Sequence, residues 1–592
     1  MKNIITFILF IHTFILANSL KINNKDLSTD KTWLALLHYN IGESKSDILT
    51  TDFFLSSVGN VNPKEELRVT IEAYEKNKTK IICKYPARYL WLAEQLEWKD
   101  YQKRISQCHH YNNWNLIQGV KSIGLVFVSG FLGNPASAFG HSFIKINKSD
   151  LNKNILLDNT ISYGAKLPKS YSMLSYIFNG LTGGYTGAYT DQYYYMNDMA
   201  YSNQEFRDMW EYRLTMSQAK KELFLSHLWE LRGVEFQYFF LNRNCGYKVS
   251  ELLDIVNDEN IRDRARIWYA PVETFYRMEE LSDKPKKISY HPSKQLEIYA
   301  FYRSLNKKEK EEVIAFVQAR KKHTDLNKLS LKEIDFLLDY YTYVLESMEK
   351  SDVAYTKMKK TKLILLKERI KMPIRNYEKP FPEVKRPITE NNAPMRLKAG
   401  AKVVKNGDSF LHMEFSPFAI DEVGYNLYGG DIFSIMNLGV NISQSDISFS
   451  SLDFVKIRRL KTQKLPFDID NPLSWKLHIG MTKNNEWDSY IDVGAGYTWQ
   501  VTSHIKLFSF LNLSTHTENP HYRVSPNIGI FADYNYFKFS YEFTKDYVGI
   551  HKFLKDSHKF NMGYNIDKKK AIFFQYDMKN EQHVSVGVKW FF

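Results

Sequence analysis

From about residue 395 to the end of the chain, apolar and polar side chains alternate one for one. A segment patterned in this way has two different faces only if it is a β-strand, because successive strand side chains point to opposite sides. Ile491, Val493, Ala495, Tyr497 and Trp499 alternate with Asp492, Gly494, Thr498 and Gln500. Phe537, Phe539, Tyr541 and Phe543 alternate with Lys538, Ser540, Glu542 and Thr544. The last strand places Val584, Val586, Val588, Trp590 and Phe592 on one face and Ser585, Gly587 and Lys589 on the other. About twelve such segments, most of roughly 9 to 13 residues, lie between Ala393 and Phe592, separated by polar turns such as Asp567–Lys570 and Lys579–Glu581.

A soluble sandwich also alternates, but its strands usually run to about five or six residues. The longer segments here suit tilted strands that cross a bilayer. Backbone groups in lipid must be paired within the protein, so such strands have to close on themselves. The expectation is an all-β transmembrane barrel of about 12 antiparallel strands, with aromatic side chains near the strand ends as an interfacial girdle. The terminal Phe592 after an alternating strand resembles the assembly signal of bacterial outer-membrane proteins.

The start of the chain fits export. Lys2 precedes an apolar run from Ile4 to Ala17, and Ala17-Asn18-Ser19 has the small-x-small form of a cleavage site. That run is too short to span a membrane, and no later stretch approaches a spanning helix. No cysteine lies near the cleavage point, so the chain is not expected to be a lipoprotein itself. Export leads to an oxidising compartment, where three cysteines leave one unpaired. Cys83 and Cys108 are close enough in sequence to close a modest loop, which leaves Cys245 as the free thiol.

The net charge of +14 raises nucleic acid as a partner. Outside the helical segment 357–371 there is no dense Lys/Arg run that could track phosphates, so nucleic acid is excluded and a surface facing anionic membrane lipid is expected instead.

Four regions follow: a signal peptide (1–19), an α+β domain (20–280), a helical segment and linker (281–392) and the barrel (393–592). Residues 29–115 read as helical, with Asn62-Pro63 as an N-cap and first-turn proline. Strands are expected near 123–127, 142–146 and 155–163. The glycine-rich stretch 180–187 reads as a mobile loop, 203–232 and 245–256 as helices, 293–372 as charged helices, and 373–394 as a linker.

Two spots can carry chemistry. His141 opens a strand straight after Gly140, and Cys245 opens a helix after Asn242-Arg243-Asn244. A helix N-terminus presents unpaired N–H groups and the positive end of the dipole, which favour thiolate. An imidazole can take the thiol proton, and the same N–H groups can hold an oxyanion, so the pattern suits acyl transfer through a thioester. Alone, Cys245 also fits an inert buried thiol and His141 a structural histidine. No second Cys or nearby His gives zinc-ligand spacing around Cys245. His109-His110 beside Cys108 is a minor metal candidate, and no cofactor or metal is expected.

Several blocks carry a resemblance: Trp33–Tyr39, Phe53–Ser56, Tyr85–Tyr89, Ser137–Phe143, Gly183–Tyr185, Arg207–Tyr212, Leu228–Leu231 and Asn244-Cys245. In this order they resemble the lipoprotein N-acyltransferase (Lnb) N-terminal periplasmic domain family, whose members are similar to circularly permuted papain-like enzymes. The resemblance implies Cys245 as nucleophile and His141 as base, with the histidine strand ahead of the cysteine helix. It implies a third polar group on the following strand, at Ser162, where the family often has Asn; Asn159 is the substitute. The Gly183-Gly184 stretch would be a lid or acyl-chain wall. The implied activity is an outer-membrane-anchored acyltransferase with a lipoprotein as substrate. A cysteine hydrolase of envelope peptides and a non-enzymatic barrel scaffold are the rival readings.

Overall fold

The computed structural model describes residues 21–592 apart from 23–24, 41, 131–139, 149–154, 263–267, 282–284, 286, 319–325, 327, 406, 408, 428, 445, 463, 468–472, 484–485, 549–551 and 579–581. The signal-peptide segment, Ser137–Phe139 and the turn 579–581 lie outside the described residues. The chain divides into two compact units, residues 1–293 and 294–592.

The first unit is built on a seven-stranded antiparallel sheet. Its strands are β1 (Ser122–Val128), β2 (His141–Asn147), β3 (Asn159–Ala165), β4 (Tyr185–Tyr193), β5 (Met209–Arg213), β6 (Glu235–Tyr238) and β7 (Lys287–His291), in the order β6-β4-β3-β2-β1-β5-β7. β1 and β2 are buried along nearly their whole length: β1 is a nearly unbroken apolar run, and β2 buries Lys145 and Asn147 against Glu211. Helices pack around the sheet: α1 (Lys31–Leu36), α2 (Pro63–Glu75), α3 (Pro86–Gln95), α4 (Met173–Thr182), α5 (Gln218–Glu230), α6 (Cys245–Asp254) and α7 (Glu273–Glu280).

Asn62 caps α2 through the Glu65 N–H, with Pro63 in the first turn, as the sequence predicts. Arg88 on α3 is fully buried and ties the helical layer together. Its guanidinium donates to Glu66 at 2.8 Å and to the Phe53 carbonyl at 2.9 Å, and its backbone N–H donates to Glu230 at 3.0 Å. Cys83 and Cys108 form the expected disulfide, which removes Cys108 from any metal site beside His109 and His110.

Three expectations are corrected. The stretch 180–187 is not a loop: it closes α4 and opens β4, and Gly183 at φ +78° is the left-handed cap between them. Residues 203–232 are not one helix. Met209–Arg213 alternates across the sheet and pairs with Gly124–Val128, and only Gln218–Glu230 is α-helical. The sheet also extends past residue 280, because β7 pairs with β5 from Met209↔His291 to Arg213↔Lys287.

The second unit begins with α8 (Lys294–Ser304), α9 (Lys307–Val317), α10 (Leu331–Ser347) and α11 (Val353–Ile370). It continues into a closed barrel of twelve strands: β8 (Arg396–Val404), β9 (Ser409–Ser416), β10 (Ile432–Ile442), β11 (Ile447–Arg459), β12 (Leu473–Lys483), β13 (Trp487–Gln500), β14 (Ile505–His516), β15 (Tyr522–Tyr534), β16 (Phe537–Val548), β17 (Lys552–Asn565), β18 (Lys570–Met578) and β19 (Gln582–Phe591). Each strand pairs antiparallel with the next. β8 pairs with β19, and β9 pairs with β10 from Leu411↔Ile442 to Phe415↔Leu438, which closes the ring. Alternation sets the two surfaces. Ile491, Val493, Tyr497 and Trp499 face outward, while Lys398, Arg458, Lys538 and Lys589 are buried inside. No described helix is long and apolar enough to cross a membrane.

Candidate functional site

Cys245 is the first residue of α6, and the residues around it are chosen to fix that helix start. Asn244 is the N-cap: its side-chain oxygen accepts from the Gly246 and Tyr247 N–H groups at 3.1 and 3.3 Å. Its amide donates to the Tyr269 carbonyl at 2.7 Å and the Phe240 carbonyl at 3.0 Å, so the cap is held from both sides. Gly246 is required by close approach, since a Cβ there would stand 2.4 Å from the Pro271 Cα. α6 packs against β2 and β3 and against α1 and α7.

The thiol is buried, and it is the free cysteine of the chain. Burial pushes its pKa up; the Ser142 N–H and hydroxyl, the Gly246 N–H and the charge of Arg207 act against that rise. The start of β2 therefore meets the start of α6, and the residue in contact with the sulfur is Ser142. Its hydroxyl has no aligned hydrogen-bond partner.

His141 stands one residue earlier. Gly140 before it has φ +90°, and a Cβ there would strike the Phe127 ring at 2.5 Å, so only glycine allows the chain to turn into β2 at this point. The imidazole packs against Tyr201 at 5.5 Å and Phe143 at 6.4 Å between ring centres. Its Nε2 makes no hydrogen bond. Burial, with the nearby Arg207 charge, lowers its pKa to about 3, so it is neutral at physiological pH.

Arg207 opens one of the resemblance blocks, but the sequence assigns it no role, and the structure makes it the electrostatic centre. It is buried, donates to the Ser129 carbonyl at 2.6 Å and the Val128 carbonyl at 3.3 Å, pairs with Glu205 at 2.8 Å, and lies 5.2 Å from the Tyr201 ring. It acts on both His141 and Cys245. Tyr201 and Tyr238 are within electrostatic reach of the sulfur. Nothing in the local pattern separates Arg207 from a surface arginine, whereas Asn244 could be read as an N-cap directly from the sequence.

Ser162 lies on β3 opposite Phe143, on the face that His141 shares, and its hydroxyl has no partner. Asn159 stands opposite Ile146, five positions along β2 from His141, roughly 16 Å by strand rise, so it is not beside the imidazole. His38, Asp47 and Glu251 also come together in the interior. The Lys248 ammonium bonds both Asp47 and Glu251, so a cation already occupies the centre of that group.

The fold defines an outer-membrane barrel protein with an α+β domain in the periplasm, and it is the family match of that domain that makes it enzyme-like. Residues 110–279 match the family model of the Lnb N-terminal periplasmic domain. Residues 25–95 and 424–591 match two domains of unknown function, DUF7843 and DUF7840. The blocks around Trp33, Phe53 and Tyr85 therefore belong to a separate family segment, while those from Ser137 to Cys245 fall within the Lnb match. No curated protein matches the chain. Among solved structures, it is similar to the KdgM porin at 13% identity and TM-score 0.22, covering 33% of this chain and 99% of that one. It is similar to the NanC porin at 10% and 0.22, covering 33% and 100%. The Acinetobacter baumannii outer membrane protein Omp33 gives 8% and 0.19, covering 34% and 99%.

Proposed function

We propose that the N-terminal unit is a cysteine-dependent acyltransferase in which Cys245 is the nucleophile, His141 the base and Ser162 the group that orients the imidazole. The Cys245 sulfur attacks the ester carbonyl of a phospholipid or diacyl lipoprotein. The thiol proton passes to His141 and then to the departing alcohol, which leaves a thioester. An amine, the N-terminus of a lipoprotein, attacks the thioester; His141 takes its proton and returns it to the sulfur, so an amide forms and the thiol is restored.

The observation that supports a lipid substrate over an envelope peptide is a chain of packed aromatic rings that leads from Tyr238, which feels the charge of the thiol, to an exposed apolar helix side. Tyr238, within reach of the sulfur, packs on Phe240, and Phe240 packs on Tyr176 of α4 at 4.9 Å. The outer side of the same helix leaves Phe178 67% and Leu181 47% exposed, with Tyr171 beside it 49% exposed. Large apolar side chains grouped in water mark a surface that something apolar covers. α4 takes the role that the sequence assigns to the Gly183-Gly184 stretch.

Mass spectrometry of lipoprotein N-termini tests this reading. Cells with the intact protein should carry N-acylated N-termini that are lost in C245A and H141A cells with the same barrel content. Equal N-acylation in C245A cells would falsify it.

A further inference from the structure

We propose that the barrel is a closed anchor rather than a pore, stoppered by its own connection between β9 and β10. The other connections at this end of the barrel include tight turns such as Tyr534–Phe537, but the chain from Ser416 to Ile432 is long and turns inward. A short strand, Phe418–Ile420, first pairs back along β10 from Phe418↔Ile435 to Ile420↔Phe433. The segment after it then touches the inner side of strands all around the ring.

Asp421 pairs with Lys589 on β19 at 2.8 Å and with Arg396 on β8 at 2.6 Å. Glu422 pairs with Arg458 on β11 and accepts from Asn561 on β17 at 2.9 Å. The carbonyls of Val423, Asn426 and Gly429 accept from Asn565 on β17, Lys538 on β16 and Lys506 on β14 at 3.0, 3.0 and 2.7 Å. Gly430 lies against Phe531 on β15, where a Cβ would stand 2.8 Å from the ring. For these five acceptors the wall of the barrel supplies a cation or an amide.

A strap that lay along one wall would touch two or three neighbouring strands; this one reaches seven of the twelve from opposite sides. The space left beside it is a cavity of about 160 Å³, lined by Lys398, Glu414, Asp453, Lys456, Lys559 and Gln575. That volume is large enough to hold water among charged side chains. Asp421 and Glu422 are the latch: they are buried carboxylates whose ion pairs join strands from both ends of the barrel sequence.

The test is conductance of the full-length protein in planar lipid bilayers, with heat-modifiable gel migration as the check that each barrel is folded. The native protein should show no stepwise ion conductance. D421A/E422A, and a second variant with residues 420–427 replaced by a Gly/Ser stretch, should show discrete conductance steps. Steady ohmic conductance from the native protein overturns the proposal, and so does silence from the folded Gly/Ser variant. The readout is independent of Cys245, so acyl transfer can fail while the stopper stands, and the reverse.

Discussion

The Ser142 backbone N–H and hydroxyl meet the Cys245 sulfur where β2 and α6 both begin. This contact joins the two ends that the sequence leaves 103 positions apart, 142 to 245. Burial outweighs this contact and keeps the thiol protonated at rest, while the low pKa of His141 keeps the imidazole neutral.

The first prediction concerns the thiol. Because its pKa is raised, Cys245 should react slowly with iodoacetamide at pH 7, and the rate should climb as pH rises past the ordinary thiol range. R207M removes the positive charge that favours thiolate and should shift the profile further upward. Fast alkylation at pH 7 with a plateau below pH 8 contradicts the buried, protonated thiol.

A second prediction follows from His141. Between its ordinary value of 6.5 and its folded value of about 3, the unfolded chain binds a proton that the folded one does not. Stability therefore rises with pH across this window and is lost as pH falls from 6.5 toward 3, by at most about 1.4 kcal/mol per pH unit for one group. H141F should flatten the dependence of the denaturant midpoint on pH between 6 and 4. An unchanged slope means that this imidazole does not resist protonation.

At Gly246 the expected effect is steric. G246A drives a methyl group into the Pro271 backbone and should cost about 1–3 kcal/mol, lower the melting temperature and abolish acyl transfer by moving the helix start. N244A loses the cap and the ties to Phe240 and Tyr269, for about 2 kcal/mol. Thermal melts of the two purified variants measure both; native-like melting of G246A removes the close-approach argument.

The Arg88–Glu66 pair gives a stability prediction far from the thiol. R88M leaves the Glu66 carboxylate buried beside only the Leu55 and Ser56 N–H groups, which should cost about 3–5 kcal/mol. Limited proteolysis should then cut within residues 25–95 before the barrel is affected. Protease resistance equal to that of the native protein would show the pair to be dispensable.

Much of this fold was legible in the sequence because period-two alternation is a direct consequence of strand geometry. The twelve barrel strands, the Cys83–Cys108 disulfide and the helix start at Cys245 could all be read from local pattern. The short strands at 185, 209 and 287 could not. Each is decided by a partner far along the chain, as Met209–Arg213 is by Gly124–Val128 and Lys287–His291. The same reason hid Arg207, whose role comes from burial against Ser129 and Tyr201 rather than from its neighbours in sequence. The Ser416–Ile432 connection reads as an ordinary turn until the inward lysines and arginines of five strands, with the asparagines of β17, are placed around it.

The central claim is that Cys245 carries the acyl group. Intact-mass and peptide mass spectrometry of the protein incubated with phospholipid vesicles, without an amine acceptor, tests it most directly. One acyl chain should be found on the peptide that contains Cys245, released by neutral hydroxylamine and absent from C245A. An unmodified Cys245 in protein that still transfers acyl groups to a lipopeptide amine would contradict the account.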